Sequence, residues 1–465
     1  MADPWLQDAC SLVDAMRAGS ISSSEALEAC IEAIAGSSLN AFSHLDLDSA
    51  RESAAKADVS LPFGGLPMGI KELDPVAGWP YTEGSLVFAD RIGEEDATIV
   101  TRLRAAGAVL VGQTTSSEFG GINCTRTKAH GVTRNPWNEE RTPGGSSGGS
   151  AAAVSGGLIP LATGSDGGGS IRIPAAFCGL LGLKPTFGRV PRGPKISIEP
   201  LTSVYGAMAR SVRDSARYLD VTNGHHATDP YSLPRVEGFE AGLGSTQLAG
   251  LRVAVVPDLG AAYIGEHSRA LVEEAADALI AESGMIRVDL DLKLPVGGLE
   301  WALAGTSSLM VDLADRYPSC IEELTDEIQL ATSMATSMFD LRTAMRIESF
   351  RRDSIALFAK AWVDVDLIIS ATNPDVAFAA EGPMSTTVEG VDLIEAIGFN
   401  AALSNNGALT IPANTVGNPS ISIPVGMHDG LPVGMQVMAG HHQEATLLDV
   451  ALQVERNRPW PLVAP

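Results

Sequence analysis

The sequence predicts an α/β fold, and three stretches carry that prediction. Residues 97–106 have helical periodicity and run into Gly107-Ala-Val-Leu-Val-Gly112, a short apolar strand held between glycines. Leu251-Arg-Val-Ala-Val-Val256, a helical pattern over 266–283 and a strand at Ile286–Leu292 repeat the alternation as a strand–helix–strand unit. Further on, Ser420–Val425 and Val433–Val437 read as paired strands joined at Asp429-Gly430.

The remaining elements follow in order. Residues 5–36 read as two helices, the second opened by Ser22 and Glu25 at capping-box spacing, with Leu27, Cys30, Ile31 and Ile34 on one face. Ala41–Leu47 reads as an edge strand and Asp48–Ala57 as a helix. The small residues Ala151–Val154 suit a tightly buried helix, and Leu158–Thr163 suits an interior strand. Ser211 caps another helix, and Gly242–Gly250 is a linker candidate. Residues 300–362 read as mostly helical, Val365–Ile369 as a buried strand, Asn373-Pro374 as a turn, 387–408 as holding a helix and 443–456 as a last helix.

Composition narrows the function. The chain has 465 residues, 45% hydrophobic and 19% charged, ample for a deep core and unlike a disordered protein. A net charge of −24 argues against a nucleic-acid partner. No apolar run is long enough to span a bilayer; the best, Ala151–Thr163, is broken by Gly156-Gly157 and Pro160. Cys10, Cys30, Cys124, Cys178 and Cys320 are odd in number and form no CxxC pair, which points to reduced thiols and a cytoplasmic location. Asp3 and Asp8, with no basic run before an apolar one, give no signal-peptide pattern.

The chemistry concentrates between Thr142 and Arg172, where two serine-bearing glycine turns flank a short apolar stretch. Gly167-Gly168-Gly169-Ser170 places several uncovered backbone N–H groups beside one hydroxyl, the ingredients of an acyl-transfer site: Ser170 as nucleophile, Gly167, Gly168 and Gly169 as oxyanion donors. A base is then required. No histidine lies in either turn, so Ser146 or Ser147 can only relay a proton to a base further upstream. Lys71, a lone lysine after the apolar run Leu66–Ile70, is the candidate, because burial lowers a lysine pKa far enough for the neutral amine to act. Asp166 and Arg172 bracket Ser170 and read as an internal pair supporting the turn; Ser147 and Ser150 read as turn and cap residues.

These motifs resemble the amidase signature family. The likeness covers Thr142-Pro-Gly-Gly-Ser-Ser-Gly-Gly-Ser-Ala151, Gly164-Ser-Asp-Gly-Gly-Gly-Ser-Ile-Arg-Ile-Pro174, Gly69-Ile-Lys71, Glu118-Phe119, Arg134-Asn-Pro-Trp-Asn138, Gly182-Leu-Lys-Pro-Thr186 and Gly417-Asn-Pro-Ser-Ile-Ser-Ile-Pro424, in family order over most of the chain. The resemblance implies a Ser–cis-Ser–Lys triad of Ser170, Ser146 and Lys71, with the relay 24 residues before the nucleophile as in the family. It also implies one large domain over 1–465, a mixed central sheet with helices on both faces. Within it, helices would occupy about 5–60 and a catalytic core about 61–215, and a second lobe at about 250–440 would supply the pocket wall. Three departures stand out: Glu72 where Asp is common, Ser165 where Thr is common, and Gln113 where Lys is usual.

The implied activity is hydrolysis of the C–N bond of a small, neutral, rather apolar amide, carbamate or ester through a seryl acyl-enzyme. No cofactor or metal is called for, and a homodimer is allowed. Segments 120–132, 195–206 and 300–350, with Met310, Leu330, Met334 and Phe339, are the expected acyl pocket. The alternative within the family is a glutaminase component of a tRNA-dependent amidotransferase complex, although Leu341-Arg-Thr-Ala-Met-Arg-Ile-Glu348 lacks the Gly-Thr-Tyr run expected of such a component. Outside it, Gly144-Gly-Ser-Ser-Gly148 formally satisfies a nucleophile-elbow pattern. The preceding segment Asn138–Pro143 is polar and Pro-broken, however, and none of His225, His226, His267, His428, His441 or His442 has a supporting motif. GxxxxGK[ST] and HExxH are absent.

Overall fold

Strand alternation puts apolar side chains on both faces of a sheet that must then be covered twice. The computed structural model, which describes residues 3–194 and 202–465, shows that arrangement. The strands of the main sheet are β1 (Phe42–Leu45), β2 (Pro67–Lys71), β3 (Val109–Thr114), β4 (Leu161–Asp166), β5 (Leu181–Lys184), β6 (Val204–Ala209), β7 (Arg252–Val255), β8 (Ile286–Arg287), β9 (Leu367–Ala371), β10 (Ser420–His428) and β11 (Leu431–Ala439). Among the described residues they form one mixed eleven-stranded sheet in the order β1-β3-β2-β4-β6-β5-β10-β11-β9-β7-β8.

Around β2, β3 and β4 each face has its own core. Met68, Ile70, Leu110 and Leu161 join one, with helices Ala9–Arg17, Thr98–Ala105, Val212–Thr222, Glu266–Ser283 and Glu444–Asn457. Val109, Val111, Ala162 and Met208 join the other, under helices Ser23–Ala35, Leu47–Ala55 and Gly148–Ser155. The last of these is buried throughout, and its small side chains allow it to lie close to the sheet.

Local chemistry explains the boundaries. Ser22 Oγ accepts from the Glu25 N–H at 3.1 Å while Glu25 Oε2 accepts from the Ser22 N–H at 2.8 Å, a reciprocal cap. β10 and β11 turn at Asp429 (φ 50°) and Gly430 (φ 75°), the left-handed pair that matches strand twist in a tight hairpin. β5 pairs with β10 through Lys184↔Ser420 and Gly182↔Ser422, so two distant motif segments become neighbours. Lys184 is buried there, its amine pushed down to about 7 by desolvation, and it donates to the Asn418 carbonyl at 2.6 Å; its role is structural.

Several elements depart from the sequence reading. The strand expected over Ile286–Leu292 keeps only two paired residues, because it is an edge with Ile286 exposed and acidic residues following. The strand expected at Leu158–Thr163 begins at Leu161, just past Pro160, and runs on to Asp166. The single helix expected within 387–408 is a two-residue hairpin and two short helices, Leu393–Ile397 and Phe399–Asn405, separated at Gly398. β5 and β6 have no counterpart in the reading.

Candidate active site

β2 and β4 are parallel neighbours, Gly69 pairing with Ala162, so both chains leave the sheet at the same edge. Ligand sites in such sheets gather at the carboxyl ends of strands. Lys71 is the last residue of β2; Ser165 and Asp166 are the last of β4, and the turn to Ser170 follows. Lys71 is fully buried, and its Nζ lies 2.7 Å from Ser146 Oγ and 2.9 Å from Ser165 Oγ. Ser165 therefore keeps a hydroxyl on the amine.

Desolvation pushes the Lys71 amine well below the usual lysine range, while the carboxylates of Asp74, then Asp166 and Glu72, pull against that shift. Asp74, also fully buried, is pushed up by its own desolvation, with the Lys71 charge opposing. Asp74 is fixed by Thr163, whose hydroxyl donates to Asp74 Oδ2 at 3.2 Å and accepts the Lys71 N–H at 2.8 Å. Glu72 is held by the Ser116 N–H at 2.6 Å and lies 2.9 Å from His130 Nε2.

Ser146 follows a cis Gly145–Ser146 peptide. Gly145 has room for no side chain, since a Cβ there would sit 2.6 Å from the Ile122 carbonyl oxygen. Ser147 Oγ is 3.3 Å from the Ser165 carbonyl, and Ser150 Oγ donates to the Thr163 carbonyl at 2.8 Å; both tie the first turn to β4.

Asp166 and Arg172 are completely buried and form a two-pronged pair, Nε to Oδ2 at 2.9 Å and Nη2 to Oδ1 at 3.0 Å. Burial alone would raise the Asp166 carboxyl; the charge and hydrogen bonds of Arg172, with Lys184 and Asn414, outweigh it and hold it well below the carboxylate range. Arg172 also donates to Gln436 Oε1 and Asn414 Oδ1, each at 2.6 Å.

The turn from Asp166 to Ser170 is clamped carbonyl by carbonyl. The Asp166 carbonyl accepts from Asn414 Nδ2 at 2.8 Å, and those of Gly167, Gly168 and Gly169 accept from Trp301 Nε1, Thr410 Oγ1 and the Ile173 N–H, each at 2.7 Å. In a planar trans peptide the N–H then points the opposite way. The Gly169 N–H, one of the expected oxyanion donors, is occupied by Asp166 Oδ1 at 2.7 Å. The N–H groups of Gly167, Gly168 and Ser170 have no protein partner among the described residues. Trp301, Thr410 and Asn414 are the site residues that sequence reasoning missed.

Ser170, Gly168 and Gly145 border a cavity of about 470 Å³. Its walls are mainly apolar, with Leu299, Leu303, Ile328, Met334, Phe399 and Ile411 prominent. Of the four expected wall residues, Leu330 and Met334 line it. Met310 instead packs beside Phe119 and Leu313, and Phe339 is exposed past its helix end. Segment 120–132 contributes Gly120–Asn123 and segment 300–350 contributes much of one wall; residues 195–201 of the third expected segment lie outside the described residues. A further wall at 383–411 lies outside those three segments. Among the described residues the one charged lining residue, Glu327, is paired with Arg126.

Comparison with known proteins shows an enzyme of the class that splits amide C–N bonds. The family model described as Amidase matches residues 25–448, and the chain belongs to that family, the amidase signature enzymes. It is 34% identical to the A subunit of glutamyl-tRNA(Gln) amidotransferase from Chloroflexus aurantiacus, over 96% of this chain and 95% of that one. Among solved structures, a bacterial aryl acylamidase of the amidase signature family superposes with a TM-score of 0.90 at 26% identity, covering 98% of this chain and 97% of that one. The glutamyl-tRNA(Gln) amidotransferase A subunit from Thermotoga maritima gives a TM-score of 0.74 at 27% identity, covering 94% of this chain and 93% of that one. Among the described residues no helix is long and apolar enough to cross a membrane.

Proposed function

We propose that the chain is a free-standing amidase for small, neutral, apolar amides, working through a seryl acyl-enzyme. The observation that carries the reading is the Lys71 Nζ–Ser146 Oγ contact of 2.7 Å beside an apolar cavity that Ser170 borders. Neutral Lys71 accepts a proton from Ser146 as Ser146 accepts one from Ser170. Ser170 Oγ bonds to the substrate carbonyl carbon, whose oxygen takes the negative charge against the N–H groups of Gly167, Gly168 and Ser170. Collapse breaks the C–N bond, and the proton on Lys71 returns through Ser146 to the leaving nitrogen. Water then cleaves the acyl-enzyme by the same relay. Carbamates and esters of the same acyl groups fit this chemistry.

The alternative, the glutaminase component of a tRNA-dependent amidotransferase, is favoured by the 34% identical relatives. Glutamine carries an α-ammonium and an α-carboxylate that need opposite charges, whereas among the described residues Glu327 is the one charged residue of the cavity wall and is already paired. That favours the neutral substrate, as does the higher TM-score of the aryl acylamidase. Five buried free cysteines suit the reducing cytoplasm. The test is a panel of anilide, alkyl amide, carbamate, ester and glutamine substrates with the isolated chain. Turnover of apolar anilides is expected; turnover of glutamine alone, and only with added partner and tRNA, would replace this reading with the alternative.

A further inference from the structure

We propose that Trp301, on the helix Gly298–Leu313, is a positioning residue that sets the oxyanion-binding peptide from the substrate-pocket side. The inference rests on the reading of Ser170 as nucleophile given above. Trp301 lies far along the chain from the nucleophile turn, yet it touches that turn twice. Its indole Nε1 donates to the Gly167 carbonyl at 2.7 Å, and its ring covers Gly168 so closely that a Cβ there would lie 2.7 Å from Cζ2. Fixing the Gly167 oxygen fixes the other edge of the same planar peptide, which is the Gly168 N–H. That N–H has no protein partner among the described residues, and Gly168 borders the cavity. The next peptide is locked separately: Thr410 Oγ1 holds its carbonyl at 2.7 Å and Asp166 Oδ1 its N–H at 2.7 Å. Trp301 thus controls the one peptide of the pair whose donor remains available.

The same indole forms part of the cavity wall. A preorganised donor gains its effect from staying aimed where charge develops, without reorganising during the reaction. A donor freed to swing would keep ground-state binding and lose transition-state binding. Trp301→Phe keeps an aromatic ring at the wall but removes the N–H, with part of the ring over Gly168.

The experiment uses the full chain, a hexanoyl anilide as substrate, hexanal as an inhibitor that Ser170 converts to a tetrahedral adduct, and 1-hexanol as a ground-state mimic. Deleting a direct oxyanion donor costs about 10²–10³ in kcat, so loosening one should cost about tenfold. For Trp301→Phe the expected result is that loss in kcat with KM within about twofold, hexanal weakened by the same factor and hexanol unchanged. Thr410→Val should also lower kcat, and Thr410→Ser should restore it. Wild-type kcat in Trp301→Phe overturns the proposal, and so does an equal weakening of hexanal and hexanol, the mark of a mere wall residue. Ser170→Ala separates the two levels. If it abolishes turnover while Trp301→Phe is normal, only the positioning role falls; if it retains turnover, the nucleophile assignment falls and this role with it.

Discussion

Replacing Asp74 with Asn should shift the rate profile toward acid, the reverse of what losing a catalytic carboxylate would do. Asp74 is buried with Lys71 and is the largest charge opposing the desolvation of its amine. Asn is nearly isosteric and keeps an oxygen to accept the Thr163 hydroxyl, so the local packing survives. Removing the negative charge leaves desolvation less opposed, and the Lys71 amine then loses its proton at lower pH. A neighbouring charge typically moves a buried group by about 1–3 units. The lower end applies here, because Asp74 is itself pushed toward its neutral form and Asp166 and Glu72 still face the amine. A shift of about 1 unit makes the neutral amine about tenfold more abundant at pH well below both midpoints, equal to about 1.4 kcal/mol. The assay is kcat/KM for an apolar anilide from pH 5.5 to 10, with thermal melts to confirm folding. Wild type should rise from neutral to alkaline pH with a midpoint below the ordinary lysine value of 10.5. Asp74→Asn should reach the same alkaline plateau with its acid limb displaced downward. An unmoved limb would mean that the charge does not reach the amine; a lost plateau would make Asp74 the base and end the reasoning.

Other expectations follow from the same geometry. Ser170→Ala should abolish turnover and leave the melting temperature within a few degrees, and Ser146→Ala should lower kcat by about 10²–10⁴, the range for a general acid–base group. Arg172→Met should cost about 3–5 kcal/mol in denaturant titration by leaving Asp166 buried without its counter-charge, and Asp166→Asn in addition should recover part of that loss. Because the folded Asp166 carboxyl is held below its ordinary 3.8, its pairing stabilises the fold above that pH and is lost as pH falls through the lower folded value; Arg172→Met should raise the pH of acid unfolding. Met334→Gln should raise KM for apolar acyl groups about tenfold while sparing acetyl substrates, read as the ratio of specificity constants.

The legible parts of this molecule share a short physical range. Glycine turns, capping pairs and the Asp429-Gly430 hairpin are set by neighbours in sequence, and each stands where the sequence put it. The juxtaposition of Lys71 and Ser146, 75 residues apart, is expected from the family resemblance rather than from any local signal. What escaped was tertiary. Trp301, Thr410 and Asn414 reach the nucleophile turn from segments with no local signal of that contact, and three hydrogen bonds to carbonyls leave no trace in periodicity. The occupied Gly169 N–H was equally hidden, since a glycine run shows that backbone is exposed but not which groups Asp166 will take. Met310 illustrates the converse: its helix does reach the cavity, but through Trp301, Ala302 and Thr306, while Met310 packs against the separate cluster that holds Val87, Phe88 and Leu313.

Chemistry and recognition therefore come from different parts of the chain and meet at one peptide. Lys71, Ser146 and Ser170 hang on parallel strands and a small-residue helix inside the double-covered sheet, where burial tunes the amine. The cavity wall is largely helix and loop from 298 to 411, with Leu330 and Phe399 half open to solvent at its edge. Among the described residues, the wall side chains other than Trp301 make no hydrogen bond to the turn from Asp166 to Ser170. Trp301 is the exception, since it belongs to the wall and holds the turn. Loss of its N–H should alter the rate, whereas substitutions at Met334 should alter specificity alone.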